Sequence, residues 1–273
     1  MAYPRCRLTA FVVMVCLACA ISGHAQDPEK LTEDQMKDFL LNARVVKAKD
    51  AAKGITNTYR LTLSDGTITH DGSFQSVDET QFKHVFANGT SEVNFRDSYK
   101  FNIAAFELAK LLGLGDMMPV TVERRWDSKI GSLTWWLPAK LDEETRWRRK
   151  ITPPDPDAWN RQMHKMRVFS QLVYDTDRNL GNVLISEDWH LWMIDFTRAF
   201  RAYTSLENRK NLEKCDRKLL DILRRLDAAE VEQKLSHWLS KYEIKGIMER
   251  RNKIVRVFDE LIAKKGENEV LYD

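Results

Sequence analysis

The stretch from Val173 to Phe200 limits what this chain can fold into more than any other. It reads V-Y-D-T-D-R-N-L-G-N-V-L-I-S-E-D-W-H-L-W-M-I-D-F-T-R-A-F. Asp177 is followed five residues later by a carboxamide, Asn182, and eighteen residues later by a second carboxylate, Asp195. Val183-Leu184-Ile185 has strand character, Glu187-Asp188 has turn character, and Leu191 to Ile194 can return antiparallel. A hairpin of that length sets Asn182 and Asp195 side by side at its open end. Phosphoryl transfer asks a protein mainly for positioning and charge neutralisation, with a carboxylate to take the acceptor's proton. Magnesium prefers hard oxygen ligands and usually takes one or two carboxylates, completed by phosphates and water. An acid, an amide and an acid at this spacing suit both needs. The plainer alternative makes all three turn and cap residues. D-x-x-x-x-N alone has little specificity, so the hairpin and the second aspartate carry the weight.

The first 25 residues differ from the rest. Arg5 and Arg7 precede an apolar run from Leu8 to Ile21, and Gly23-His24-Ala25 puts small residues at −3 and −1 of a cleavage site. This predicts a secretory signal peptide cut near Ala25, and hence an exported protein, periplasmic or secreted. The run is too short for a comfortable transmembrane helix, so no stable membrane span is expected. An uncleaved anchor, or lipidation at Cys19, are the alternatives. Cys6, Cys16 and Cys19 fall within this leader and Cys215 stands alone after it, which excludes an intramolecular disulfide and a zinc cluster in the mature chain. Without Arg5 and Arg7 the charges are 41 basic against 40 acidic, which gives no electrostatic case for nucleic acid.

Period changes divide the remainder. Residues 26–43 read as a leading helix, with Met36, Phe39 and Leu40 at helical spacing. Residues 44–138 read as strands around one helix. Tyr59, Leu61 and Leu63 alternate with polar residues, Asp65-Gly66 predicts a hairpin turn, Asp71-Gly72 another turn, and a further strand falls near Gln81–Phe86. Lys53 to Thr58, with one glycine, is either a phosphate-covering loop or an ordinary hairpin loop. A helix capped by Asp97-Ser98 has Phe101, Ala104, Ala105, Leu108, Leu111 and Leu112 on one face, and strands follow at Pro119–Glu123 and Gly131–Leu137. Residues 139–157, with Pro153, Pro154 and Pro156, read as an exposed connector, and residues 158–273 as mainly helical, with helices near 205–226, 228–240 and 244–265. The tryptophans are either core packing or an aromatic platform for a sugar. The five histidines beyond the leader show no metal spacing.

The order of strands, one helix, strands, connector and helical half resembles a two-lobed kinase, an α+β fold with a small strand-rich N-lobe and a mainly helical C-lobe. Asp177-Arg178-Asn179-Leu180-Gly181-Asn182 resembles the D-R-H-x-x-N catalytic loop of the atypical kinases, which include the phosphatidylinositol 3/4-kinases, the HipA-like kinases and the secretory-pathway kinases. Met193-Ile194-Asp195-Phe196 resembles their I-D-F-G or L-D-N-G metal motif. Phe101 to Leu108 is similar to the secretory-pathway kinase helix that reads E-I-A-A-F-x-L-D. The resemblance is best in residues 95–124 and 170–200.

The resemblance implies ATP and Mg2+ (or Mn2+) as cofactors, with Asp177 as catalytic base and Asn182 and Asp195 as metal ligands. It implies a nucleotide partner and a hydroxyl acceptor on a protein, sugar or small molecule. Lys83 is its candidate for the phosphate-contacting lysine; an ordinary exposed strand lysine is the alternative. The glutamate expected to pair with that lysine falls on Asn102, and Glu107 lies one and a half turns away. Asn179 stands where the family has His, and Thr197 where it has Gly. Arg198 either touches a phosphate or packs against Asp175. These departures leave open a pseudokinase that binds nucleotide or a partner without transfer. A metal-dependent phosphoesterase using the same acids is the rival from another class.

Overall fold

The computed structural model describes residues 31–50 and 58–273. The expected signal segment and residues 53–57 of the expected phosphate-covering loop lie outside the described residues.

The N-terminal half is built on an antiparallel sheet. Helix α1 (Glu33–Asn42) starts at Thr32, whose hydroxyl accepts from the Gln35 N–H while the Gln35 side chain accepts from the Thr32 N–H. Strands β1 (Arg44–Asp50), β2 (Thr58–Ser64), β3 (Thr69–Gln75), β6 (Thr121–Trp126) and β7 (Lys129–Trp135) form a five-stranded sheet in the order β1-β2-β3-β7-β6, antiparallel at every junction. The alternation in β2 points Leu61 and Leu63 inward with Phe74 and Leu133, all fully buried. Each such side chain contributes about 1.5–3 kcal/mol by leaving water. Arg124 of β6 donates to the Leu40 and Ala43 carbonyls at 2.5 and 2.6 Å, which ties the end of α1 to the sheet.

Two sequence expectations change here. Asp65-Gly66 does turn, with Gly66 at φ 96°, but Asp71-Gly72 lies inside β3. Gly72 is there for room: a Cβ would meet Leu133 Cδ1 at 2.8 Å. Asp71 is held across the ladder by Arg60, Nε to Oδ2 2.6 Å. Asp97-Ser98, expected to cap the following helix, instead end β5 (Ser91–Ser98), paired with β4 (Asp78–Val85) as a separate two-stranded ribbon. Helix α2 (Lys100–Leu111) follows without a side-chain cap. Its three alanines, Ala104, Ala105 and Ala109, are fully buried, and Gly113 (φ 69°) lets the chain leave it.

The stretch expected as a connector is partly ordered. Asp142 caps α3 (Glu143–Arg148) by accepting from Thr145 N at 2.7 Å, and β8 (Leu141–Asp142) pairs with β9 (Val183–Ile185). Beyond it, α4 (Pro156–Val173) starts with Pro156 behind the cap Asp155. Strand β10 (Leu191–Met193) completes the predicted hairpin with β9. The helix expected at 205–226 begins only at α5 (Arg217–Arg225), because Asp216 caps it, accepting from Leu219 N at 2.9 Å. Strand β11 (Cys215–Asp216) pairs in parallel with β12 (Leu271–Tyr272), and Cys215 is buried and unpaired. Helices α6 (Ala228–Leu235), α7 (Lys241–Lys265) and α8 (Glu267–Val270) finish the lobe. Arg250 of α7 is fully buried and donates to the Leu172 and Arg201 carbonyls at 2.7 and 2.8 Å. Gly246 clears that path, since its Cβ would sit 2.8 Å from Arg250 Nη1. Burial lowers the Arg250 guanidinium to about 9. No helix among the described residues is long and apolar enough to cross a membrane.

Candidate nucleotide and metal site

Helix α4 stops because Tyr174 turns left-handed at φ 49°. Asp175 then points inward, fully buried, and accepts from the Asp177 N–H at 3.0 Å and from Arg178 Nε at 2.8 Å. Arg178 also donates to the Asn182 and Ile194 carbonyls, both at 2.8 Å, and lies 4.1 Å over the Phe196 ring. One guanidinium therefore joins the loop at 177–182 to the start of the segment at 194–196. The sequence expectations assign this residue no role; its signal is the i,i+3 pairing of Asp175 with Arg178 inside an otherwise polar loop.

The hairpin does what its length predicts. Met193 faces Val183 across the ladder, and Ile194 N donates to the Asn182 carbonyl at 3.1 Å, so Asn182 and Asp195 leave the open end together. Asn182 Nδ2 donates to the Asp177 carbonyl at 3.1 Å. Its Oδ1, the atom a hard cation would take, has no hydrogen bond among the described residues. Asn179, standing where the family has His, caps the following turn by accepting from Gly181 N at 2.9 Å. The Asp177 carboxylate is 42% exposed, with Arg198 Nη1 at 3.7 Å. Arg198 also reaches Glu92 of β5 at 3.3 Å, and the ion-pair partner of Asp175 is Arg178, so of the two alternatives for Arg198 an ion pair with Asp175 is not the one formed.

Asp195 has left-handed φ 57°, a strained backbone for a non-glycine residue. It keeps some solvent contact, yet heavy atoms crowd it closely enough that burial pushes its carboxyl above the usual range, against the pull of Arg178. Its Oδ1 accepts from Thr197 Oγ1 at 3.2 Å and from Gln75 Nε2 at 3.5 Å.

The opposite wall comes from the N-terminal half. Asn102 of α2 is buried; its Oδ1 accepts from Phe196 N at 2.7 Å, and its Nδ2 donates to Gln75 Oε1 at 2.6 Å and Ser132 Oγ at 3.1 Å. Gln75 lies at the end of β3 and bridges Asn102 to Asp195. Protein kinases place a strand lysine and a helix glutamate as an ion pair in such a wall. Two neutral amides face each other here.

The other expected nucleotide contacts do not gather. Lys83 is exposed on β4, opposite Val93, and the strand that passes Asn102 is β3 rather than β4. The reason is topological: β4 belongs to the separate ribbon and not to the five-stranded sheet. Glu107 faces α1, with Lys37 Nζ 3.5 Å away, and forms no ion pair with Lys83 among the described residues. Gln75 is absent from the sequence expectations as a site residue because nothing in its own neighbourhood marks it, and Thr197 enters them only as a departure from the family's glycine.

The donor set fits magnesium or manganese. Asp195 and Asn182 supply hard oxygens from a shared hairpin end. No group of three or more His, Cys, Asp or Glu side chains converges as a metal site among the described residues.

No family model matches the sequence, and no curated protein matches it. Among solved structures the chain resembles a hydra Fam20 with sugar, at TM-score 0.65 and 14% identity, over 88% of this chain and 91% of that one. It also resembles the Helicobacter pylori proinflammatory kinase CtkA, at TM-score 0.51 and 11% identity, over 83% of this chain and 97% of that one. At such identities the likeness is one of fold. The chain has an atypical kinase-like α+β fold, as the resemblance at residues 95–124 and 170–200 implies.

Proposed function

We propose that this protein is an exported kinase-like phosphotransferase that moves the ATP γ-phosphoryl group to a hydroxyl of a protein, sugar or small molecule. The observation that supports it most is the hairpin end that presents Asn182 and Asp195 together, with Asp177 held in the adjoining loop. Asp177 is the base: its exposed carboxylate takes the acceptor's proton as that oxygen bonds to the γ-phosphorus and the bridging oxygen departs with ADP. Arg178 holds the loop and the 194–196 segment in register. Asp195 and Asn182 would hold Mg2+ or Mn2+, which when bound neutralises charge on the transferring phosphates. Arg198 sets a cation beside Asp177, where it orients that carboxylate and meets phosphate charge. Export rests on residues 1–25 alone.

A second reading has its own support. The Gln75–Asn102 amide pair supplies no positive charge to a phosphate, so a pseudokinase that binds nucleotide without transfer is the competing function. The mature protein with labelled ATP and Mg2+ or Mn2+, alongside Asp195→Ala and Asp177→Ala, decides between them. Expected are a nucleotide-dependent rise in melting temperature that Asp195→Ala weakens, and ATP turnover that Asp177→Ala abolishes. Binding without turnover gives the pseudokinase. No binding and no thermal shift with ATP and metal overturns both.

A further inference from the structure

Strand β5 ends beside the segment that follows Asp195. Ser98 N donates to the Thr197 carbonyl at 2.8 Å and fastens the two backbones together. The neighbouring Asp97 is carried inward and is 7% exposed. The Thr197 hydroxyl lies 3.2 Å from Asp195 Oδ1 and also hydrogen-bonds the Asp97 carboxylate. A hydroxyl has one proton. Two carboxylates therefore compete for it, and at any moment one of them goes without.

Asp97 Oδ1 is buried and has no hydrogen-bond partner. An orphaned buried oxygen of this kind needs a physical reason. The cations nearby pair with other carboxylates, Arg96 with Glu243 and Arg198 with Glu92 and Asp177; the charge of Arg198 also acts on Asp97, yet the Nε of each arginine is buried without a hydrogen-bond partner and neither forms an ion pair with Asp97 among the described residues. The other charged group facing Asp97 is Glu79, across the ribbon, which adds negative charge. A buried like-charge pair is unfavourable unless a proton or a cation sits with it.

We propose that Asp97 is a further ligand, with Asp195, for a hard divalent cation of the Mg2+ or Mn2+ class, bound between the two carboxylates beside Thr197. The inference rests on the reading of Asp195 as a metal ligand and extends it. It makes the site a product of both halves of the molecule: β5 supplies one carboxylate and the hairpin segment the other. One or two carboxylates plus phosphate oxygens is the usual complement for such an ion.

The test is Mn2+ binding to the full mature chain, read by loss of the free-ion spin resonance signal, with melting temperatures in chelator and in Mn2+, each with and without ATP. Asp97→Asn keeps the side chain's shape and removes its charge. Expected is at least an about tenfold loss of Mn2+ affinity, on the scale of disturbing a metal's supporting groups. The variant should melt at or above wild type in chelator, because the like-charge pair is gone, and should lose the metal-induced rise. Asp188→Asn, in the β9–β10 turn, should bind Mn2+ as wild type does. If Asp195→Asn loses Mn2+ while Asp97→Asn keeps it, the inference fails and the proposed function stands. If wild type binds no Mn2+ with or without ATP, both fail. Should Asp97→Asn not fold, Thr197→Val takes its place. Removing the shared proton should enlarge the metal-induced rise, and an unchanged or smaller rise overturns the inference.

Discussion

The two walls of the candidate site are made on opposite plans. The wall from the C-terminal half, residues 174–197, is short in sequence and rich in charge, with the Asp175 carboxylate and the Asn182 and Ile194 carbonyls tied through the Arg178 guanidinium. The wall from the N-terminal half gathers Gln75, Ser132 and Asn102 from β3, β7 and α2, three neutral groups joined by hydrogen bonds, with Asp97 of β5 beside them. Charge placed on a local hairpin is held by the hairpin's own register. Neutral amides placed on three separate elements depend on the sheet and α2 packing as one body. In the proposed function the first wall carries the chemistry; the second holds the Phe196 N–H and the Asp195 carboxylate by hydrogen bonds.

The largest effect should come from the charged wall. Asp177→Ala is expected to lower ATP turnover by about 10²–10⁴-fold with nucleotide binding retained, the range for losing a positioned acid or base. Undiminished turnover in a labelled-ATP assay would remove that wall's claim to chemistry.

Next is Arg178→Met. Asp175 is fully buried and Arg178 nearly so, their side chains 0% and 9% exposed. Removing one partner strands a buried carboxylate, which costs about 3–5 kcal/mol. Denaturant unfolding of the metal-free protein checks this, and a loss below about 1 kcal/mol would mean that the hairpin holds its register without the guanidinium.

The neutral wall should respond less. Asn102→Ala leaves the Phe196 N–H without its acceptor and Gln75 Oε1 without its donor. About 1–3 kcal/mol of stability is expected to go, the penalty for an unsatisfied buried polar group. Nucleotide and metal affinity should fall with it, because Asp195 is the next residue. If stability falls while Mg2+ and ATP affinity stay at wild type, the neutral wall supports the fold and not the site.

The smallest effect is assigned to Lys83→Ala. On the exposed ribbon it should change stability by less than about 0.5 kcal/mol and leave the ATP-induced melting shift unaltered. Loss of that shift would move the phosphate contact back to Lys83 and break the comparison at its N-terminal side.

How far each wall is legible in the residue order follows from the same contrast. The spacing of Asp177, Asn182 and Asp195 is enough to place them relative to one another, because a two-stranded hairpin converts sequence spacing into spatial register with little help from elsewhere. Asn102 stands out in the sequence only as a departure from the expected glutamate, with no sign of its partners. Gln75 is 27 residues from it and Phe196 is 94 away, and no local period links such positions. Asp71-Gly72 misleads because an Asp-Gly pair is a strong short turn signal, whereas this glycine makes space for Leu133 from another strand. Asp97-Ser98 looks like a helix cap because capping residues before an apolar run have that appearance. Pairing with β4 turns the same residues into a strand.

The sequence by itself determined the hairpin, the Asn182 and Asp195 at its open end, the loop carboxylate beside them and the α+β division of the chain. These depend on neighbours within about one turn or one ladder, where steric and hydrogen-bonding rules act directly on residue order. Only the tertiary structure decided that Glu107 faces α1, that Lys83 stands on a separate ribbon, and that amides from β3 and α2 and a carboxylate from β5 close around Asp195. Those outcomes depend on which strand passes which helix, and that is set by burial of side chains far apart in the chain.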